Sequence, residues 1–419
     1  MTARGWMRGG WGLGLALVVG CGGGEAEAPG SLLAEYRMVA PSESRVGGGE
    51  EPGATRQVLA VRSAGPGDGP AAVAHGPGGE LFTLGHHRTP VDFGQGPLEA
   101  PGPMALTLTR HGPDGQLRWA RLFPASVVRA QALAVAPRGH LLLTGWQGGG
   151  LALGSEPLPA GPFLARLDSE GHPLWARPLP AQATELAVDA AGAVTLAGVL
   201  PGEVDFGDGP VGAPGRPFLV RYTPAGALDW AHVEAERGVP MDLAHDDAGH
   251  LYLAGVRFLP SAPLPRPFLT RLSPRGQPGW TQVLEEAVGM AMSVTAHGDQ
   301  VGVGGQLTGS LLFRGERLEA PRGRGFALAY GREGEERWGF LLGTSWPLVG
   351  AAPGVGVVLA GRYSGGEDFG LGLGPLPGYP GSTNLYVLRL HPAEGTLAWL
   401  RAFPTLSTFP VDLDATPRG

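Results

Sequence analysis

A glycine, three residues and a tryptophan recur six times, as Gly115 with Trp119, Gly171 with Trp175, Gly226 with Trp230, Gly276 with Trp280, Gly334 with Trp338 and Gly395 with Trp399. Successive tryptophans are 56, 55, 50, 58 and 61 residues apart, so most of the chain is one unit written six times. Upstream of each glycine lies an extended apolar segment, led by an aromatic residue in five of the six units, as in Phe163-Leu-Ala-Arg-Leu167, Phe218-Leu-Val-Arg-Tyr222 and Phe268-Leu-Thr-Arg-Leu272. The first unit has Thr107 at the aromatic position and is degenerate. A second apolar stretch follows each tryptophan, and between the two stand Asp168-Ser-Glu-Gly171, Thr223-Pro-Ala-Gly226 or Ser273-Pro-Arg-Gly276. Proline fixes φ, glycine permits positive φ and short polar side chains bond locally, so each pair reads as a β-hairpin. An earlier hairpin opens every unit, for example Leu133-Ala-Val-Ala136 before Leu141-Leu-Leu-Thr-Gly145. Two hairpins give four strands, the content of one propeller blade.

The expected fold is therefore all-β, a propeller of four-stranded antiparallel blades. The six units run at about 71–125, 126–180, 181–234, 235–285, 286–344 and 345–404 within a body spanning 56–419. Gln57-Val-Leu-Ala-Val-Arg62 reads as a last-type strand ahead of the first unit, and Pro410-Val-Asp-Leu-Asp-Ala-Thr-Pro-Arg-Gly419 repeats the opening of a unit. Six blades are favoured, with seven, one of them incomplete, as the alternative. Glycine and proline make up 114 of 419 residues, a share that signals low complexity unless it is periodic, as it is here. No stretch of 12 or more residues shows clean helical periodicity with caps.

The amino terminus is of a different kind. Arg4 and Arg8 precede an apolar run from Trp11 to Gly20, and Cys21, the sole cysteine, follows. A positive start, a run too short to span a membrane and a small residue before the cut describe a secretory signal over residues 1–20. Val18-Val-Gly-Cys21 resembles the lipobox of bacterial lipoproteins. That resemblance implies a Cys21 carrying acyl chains such as palmitate, and membrane attachment without a spanning helix. With Gly22 rather than Asp after the cysteine, it also implies an outer-membrane lipoprotein, on the periplasmic side or the cell surface. Residues 21–55 are rich in Gly, Glu, Ala, Pro and Ser and read as a tether.

Between the hairpins of a unit runs a longer connection bearing Val91-Asp-Phe-Gly94, Val204-Asp-Phe-Gly207 or Asp368-Phe-Gly370, with Leu151-Ala-Leu-Gly154 and Leu311-Leu-Phe-Arg-Gly315 as weaker counterparts. Its apolar group is expected to plug the blade. The fourth unit lacks the element around Phe258-Leu-Pro-Ser-Ala262. Asp205-Phe-Gly-Asp-Gly209, Phe218-Leu-Val-Arg-Tyr222, Pro224-Ala-Gly226 and Trp230 together resemble the bacterial SBBP β-propeller repeat, found in secreted and surface proteins. The resemblance implies the fold and fixes no reaction.

Candidate chemistry is sparse. His245, Asp247 and His250 lie in the densest polar cluster able to hold a metal, although their place in a hairpin turn calls for Asp and Gly on geometry alone. Asp92, Asp205 and Asp368 recur at one position and read as turn-fixing Asx residues rather than cation or sugar contacts. Arg110, Arg166, Arg221, Arg271 and Arg389 share a strand position that Ala329 takes in the fifth unit. They are expected to point to solvent with their stems on the sheet, an anion-binding ring being the sharper alternative. The tryptophans are expected as core packing between blades. All 31 basic residues are Arg, and removal of residues 1–20 leaves 38 acidic against 29 basic side chains. That balance, without basic blocks, excludes a nucleic-acid partner.

No catalytic constellation and no cofactor motif stands out. The expected function is a membrane-anchored, non-enzymatic binding or scaffold protein with a protein or glycan ligand on the face that carries the long connections. A propeller enzyme acting on polysaccharide, a quinone-dependent dehydrogenase and a structural subunit of an envelope assembly are the alternatives.

Overall fold

The computed structural model describes residues 34–38, 44–46 and 59–61, and the run 69–403 apart from 89, 94–95, 155–156, 344–346, 353–355, 370, 373 and 379–382. Cys21, the signal segment and residues 410–419 lie outside the described residues. Among the described residues all regular structure is β, and no helix is long and apolar enough to cross a membrane.

Six antiparallel sheets follow one another in chain order, each with four strands in simple up-and-down succession. We refer to these propeller-like sheets as blades 1 to 6. They span 69–125, 128–178, 183–233, 237–283, 287–341 and 348–403. Ser44–Val46 adds a fifth strand to the outer edge of blade 6, antiparallel to Leu397–Phe403. Two smaller sheets complete the set, one formed by Val204–Asp205 with Pro210–Val211 and one that joins Ala34–Met38 to Leu59–Val61 and Val91–Asp92.

The first strand of each blade lies beside the first strand of the next, from blade 1 through blade 6, so the sheets face one another and both faces of an inner blade are covered. This explains why second strands read as unbroken apolar runs. In Leu251-Tyr-Leu-Ala-Gly255, Leu251 and Leu253 pack with blade 3 residues, while Tyr252 and Ala254 pack with blade 5. Side chains alternate across the pleat, and each face meets a different neighbour.

The glycine ending that run is required by contact. Phe268 on the third strand pairs with Gly255, and a Cβ there would stand 3.0 Å from the Phe268 ring and collide with the Val239 carbonyl. Every first strand of blades 1 to 5 carries an irregularity opposite this region, at 70/72, 130/132, 183/185, 240/242 and 291/293, which bends the strand.

The strand order places the 1–2 and 3–4 turns of all blades at one end, the turn face, and the 2–3 and 4–1 connections at the other, the connection face.

Candidate functional site at the blade joints

The recurrent Gly-x-x-x-Trp is a joint between units. In the 3–4 turn of blade 4, Ser273 Oγ accepts from the backbone of Arg275 and Gln277 at 3.3 and 3.2 Å, and Gly276 closes the turn at φ +73°. The indole lying on that glycine belongs to the preceding blade: a Cβ on Gly276 would stand 2.6 Å from the Trp230 ring. Trp175, Trp280 and Trp338 lie likewise against Gly226, Gly334 and Gly395, and Trp119 against Gly171. The indole N–H then donates to a carbonyl of the same turn, Trp175 to Pro224 at 3.3 Å, Trp230 to Pro274 at 3.2 Å, Trp280 to Arg332 at 3.0 Å and Trp338 to Pro392 at 2.8 Å. Trp119 Nε1 has no hydrogen-bond partner, in keeping with the degenerate first unit. The expected packing between blades is present, with Trp119, Trp175, Trp230 and Trp280 against the core clusters, but it is partial: Trp338 is buried at 5% exposure, whereas Trp119, Trp175, Trp230, Trp280 and Trp399 are only half-buried. Each indole clamps the outer corner of the joint, and a clamp needs one face and an N–H rather than full enclosure.

The arginine row runs parallel to these clamps. Arg110 bonds Glu80 of its own first turn at 2.9 Å and Glu170 of the next blade's second turn at 2.6 Å. Arg221 bonds Asp189 of its own first turn at 2.5 Å and the Pro274 carbonyl of blade 4 at 3.3 Å. Arg271 bonds His250 of its own first turn at 2.9 Å and Glu333 of blade 5 at 2.8 Å. Arg166, 6% exposed, bonds the carbonyls of Gly192 and Pro224, one in each turn of blade 3. These guanidinium groups therefore neither point to solvent nor ring an anion. They staple turns across joints, and the fork of donors suits that use. Where blade 5 has Ala329, Arg332 from its turn reaches back to Asp246 of blade 4 at 3.2 Å.

Nearer the first strands, Asp242 of blade 4 accepts from Ser293 Oγ at 3.0 Å and from the Val294 amide at 2.8 Å in blade 5. Ser293 Oγ in turn accepts from the Val349 amide of blade 6 at 3.1 Å, and the Val349 carbonyl, also 3.1 Å away, competes with Asp242 for its one proton.

The proposed metal cluster is pulled apart by these joints. His245 Nε2 lies 3.2 Å from Thr195 Oγ1 of blade 3, whereas Asp247 accepts from the Gly298 amide of blade 5 at 3.1 Å. His250 Nδ1 is 3.1 Å from Asp246 Oδ2 and its Nε2 faces Arg271, which can only donate, so Nδ1 carries the proton. Asp246 Oδ1 accepts from the amides of Ala248 and His250, the geometry of an Asx turn. Among the described residues no group of three His, Cys, Asp or Glu is placed to hold a metal ion. Asp205 accepts from Gly207 and Gly209 at 2.7 and 3.1 Å, and Asp92 from Gly96 at 3.0 Å, as the turn-fixing reading expects.

The connections do plug the blades. Phe206 packs on Phe218 at 5.0 Å, Phe369 on Tyr386 at 4.8 Å and Phe313 on Tyr330 at 5.4 Å, while Phe93, Leu151 and Leu153 are buried in their own blades. Blade 4 has no plug. There the Arg257 guanidinium lies 4.7 Å from the Phe268 ring centre and pairs with Glu234 of blade 3 at 2.5 Å. Glu234 is 5% exposed, and His232 approaches its other oxygen at 3.7 Å. Burial alone would raise this carboxyl, but His232 and Arg257 more than offset it and hold the pKa below the ordinary value.

This ion pair escaped the sequence reading because neither residue recurs. The missing Asp-Phe-Gly in unit four was the signal that something else fills the place. Exposed large apolar side chains also gather on the connections: Leu98, Val127, Phe258, Leu264 and Leu312 lie on the connection face, and Leu174 alone among those described lies at the turn face.

No protein-family model matches the chain, and no curated protein matches it. The SBBP resemblance therefore stands on its motif residues alone. Among solved structures the chain is similar to a protein of unknown function from Bacteroides caccae, with 12% identity, 67% of this chain and 84% of that one covered and a TM-score of 0.40. It is also similar to the Neurospora crassa Pan2 WD40 domain, with 9% identity, 81% and 91% covered and a TM-score of 0.42. Both likenesses are distant, and the architecture stands on the strand pairing described above.

Proposed function

We propose that the chain is a non-enzymatic binding or scaffold protein of the bacterial envelope, a closed six-bladed propeller held to the outer membrane through acylated Cys21, with its ligand-binding side on the connection face. One observation carries the reading: the recurrent arginines and tryptophans serve the joints, whereas five of the six exposed large apolar residues among those described sit on the connection face. Surface apolar groups that a fold does not need mark contact surfaces. The signal-like amino terminus and the lipobox resemblance support the anchor, although Ala34–Met38 and Ser44–Val46, inside the segment expected as a tether, pair with the body. The ligand class that suits this surface is a protein or a glycan.

Photo-crosslinking in envelope preparations tests the binding side. A crosslinker replacing Phe258 or Leu312 is expected to trap a discrete adduct, and one replacing Leu174 is not. Adducts from Leu174 alone would reverse the assignment. Cys21→Ser is expected to move the chain from the detergent-dependent fraction to the soluble one, and unchanged membrane retention would remove the anchor.

A further inference from the structure

The joint between blades 3 and 4 carries titratable groups at both ends. At the turn end, His245 lies half-buried between the two sheets, with Nε2 on Thr195 Oγ1 at 3.2 Å and Nδ1 shielded from solvent. The charges facing it from blade 3 are Asp189 and Arg221, already paired with each other at 2.5 Å, and Arg221 also meets Asp229 at 3.1 Å. Asp189 Oδ1 is taken by the Ala191 and Ala193 amides, both at 2.9 Å. On the blade 4 side the imidazole meets the backbone of Gly249 and His250, while Asp247 is turned away toward Gly298 and His297 of blade 5. A proton arriving on His245 is met only by the backbone of Gly249 and His250, away from water and beside a guanidinium. At the connection end the same joint has the Glu234–Arg257 pair with His232 in place of an apolar plug.

We propose that the blade 3–blade 4 joint is an acid-operated hinge, in which protonation of His245 parts the two sheets before any other joint loosens.

Desolvation, with a smaller contribution from Arg221, holds the His245 pKa at about 4 against an ordinary 6.5, and Asp189 with the backbone of Gly249 and His250 only partly opposes this. The opened joint takes up its proton below about 6.5 and the closed joint only below about 4, so falling pH through that window favours opening.

Hydrogen exchange of the full chain, corrected for the intrinsic pH dependence, tests this at pH 7 and pH 5. Protection in Val194–Val199, Arg237–His245 and Leu251–Leu259 is expected to drop at pH 5 about tenfold more than protection in Leu141–Gln147 of blade 2. His245→Gln, which can still bond Thr195 and cannot take the proton, is expected to abolish the drop. His111→Gln, altering a buried histidine inside blade 1, is expected to leave it in place. An unchanged drop in His245→Gln, or a loss of protection at this joint no greater than elsewhere, would overturn the proposal. If His245→Gln does not fold, the order in which the wild-type segments lose protection decides the matter alone.

Discussion

Blades 2 and 3 meet as blades 3 and 4 do at the turn face, and differently at the connection face. In both joints an indole lies on the next turn's glycine and an arginine staples the turns. At the connection end, Phe206 packs on Phe218 in the first joint, whereas Arg257 over Phe268 with Glu234 beneath it occupies the second. One fold position therefore accepts either an apolar plug or a buried ion pair. The two differ in what breaking them costs: a lost plug leaves a cavity, and a lost partner leaves a buried charge.

The largest expected effect comes from that difference. Arg257→Ala strands Glu234 at 5% exposure and is expected to cost about 3–5 kcal/mol in denaturant unfolding. Replacing both partners, Arg257→Met with Glu234→Leu, is expected to recover most of the loss or improve on the native chain. A double variant no better than the single would show that the pair's charges are not what the joint depends on. Phe206→Ala, the matching change in the other joint, is expected to cost about 3 kcal/mol through transfer and cavity effects, with no pH dependence of its own.

The third expectation is a ramp with pH. His111, buried in blade 1, is held at about 4 by burial, with a backbone bond to Leu81 acting against it. Its unfolded form binds a proton from about 6.5 downward and its folded form does not, so its contribution to stability is full above that range and lost as pH falls toward 4. The loss is on the order of 3 kcal/mol. Replacing His111 with Phe should flatten the global ramp measured by unfolding at pH 7 and pH 5 while leaving the local exchange at the blade 3–blade 4 joint unchanged. A ramp of undiminished height would deny that His111 is neutral in the fold.

Much of this architecture is legible in the residues. Gly-x-x-x-Trp repeats because each half of the joint is written in a different unit, glycine in one and the tryptophan that covers it in the unit before. The four-strand content and the plugs follow from apolar runs and turn residues. The destination of the arginines is harder to read, because their partners stand far off in the chain, Glu80 and Asp189 30 and 32 residues before them and Glu170 and Glu333 60 and 62 after, and become neighbours only once sheets face one another. The same holds for Glu234 with Arg257, and for Asp242 reaching Ser293. His245, Asp247 and His250 are close in sequence, but a hairpin turn between two joints sends the first toward blade 3 and the second toward blade 5.

A double-mutant cycle between Trp230 and Gly276 tests the cross-unit joint most directly. Gly276→Ala inserts a methyl where the indole lies and at φ +73°, while Trp230→Ala removes the indole and its bond to Pro274, at about 2–3 kcal/mol for a half-buried ring. We expect the two to couple by about 1 kcal/mol or more, with Gly276→Ala milder once the indole is gone. Trp230 and Gly226, four residues apart in one unit, should be additive. Additive loss for Trp230 with Gly276, or coupling confined to Gly226, would contradict a fold held by each unit gripping the next.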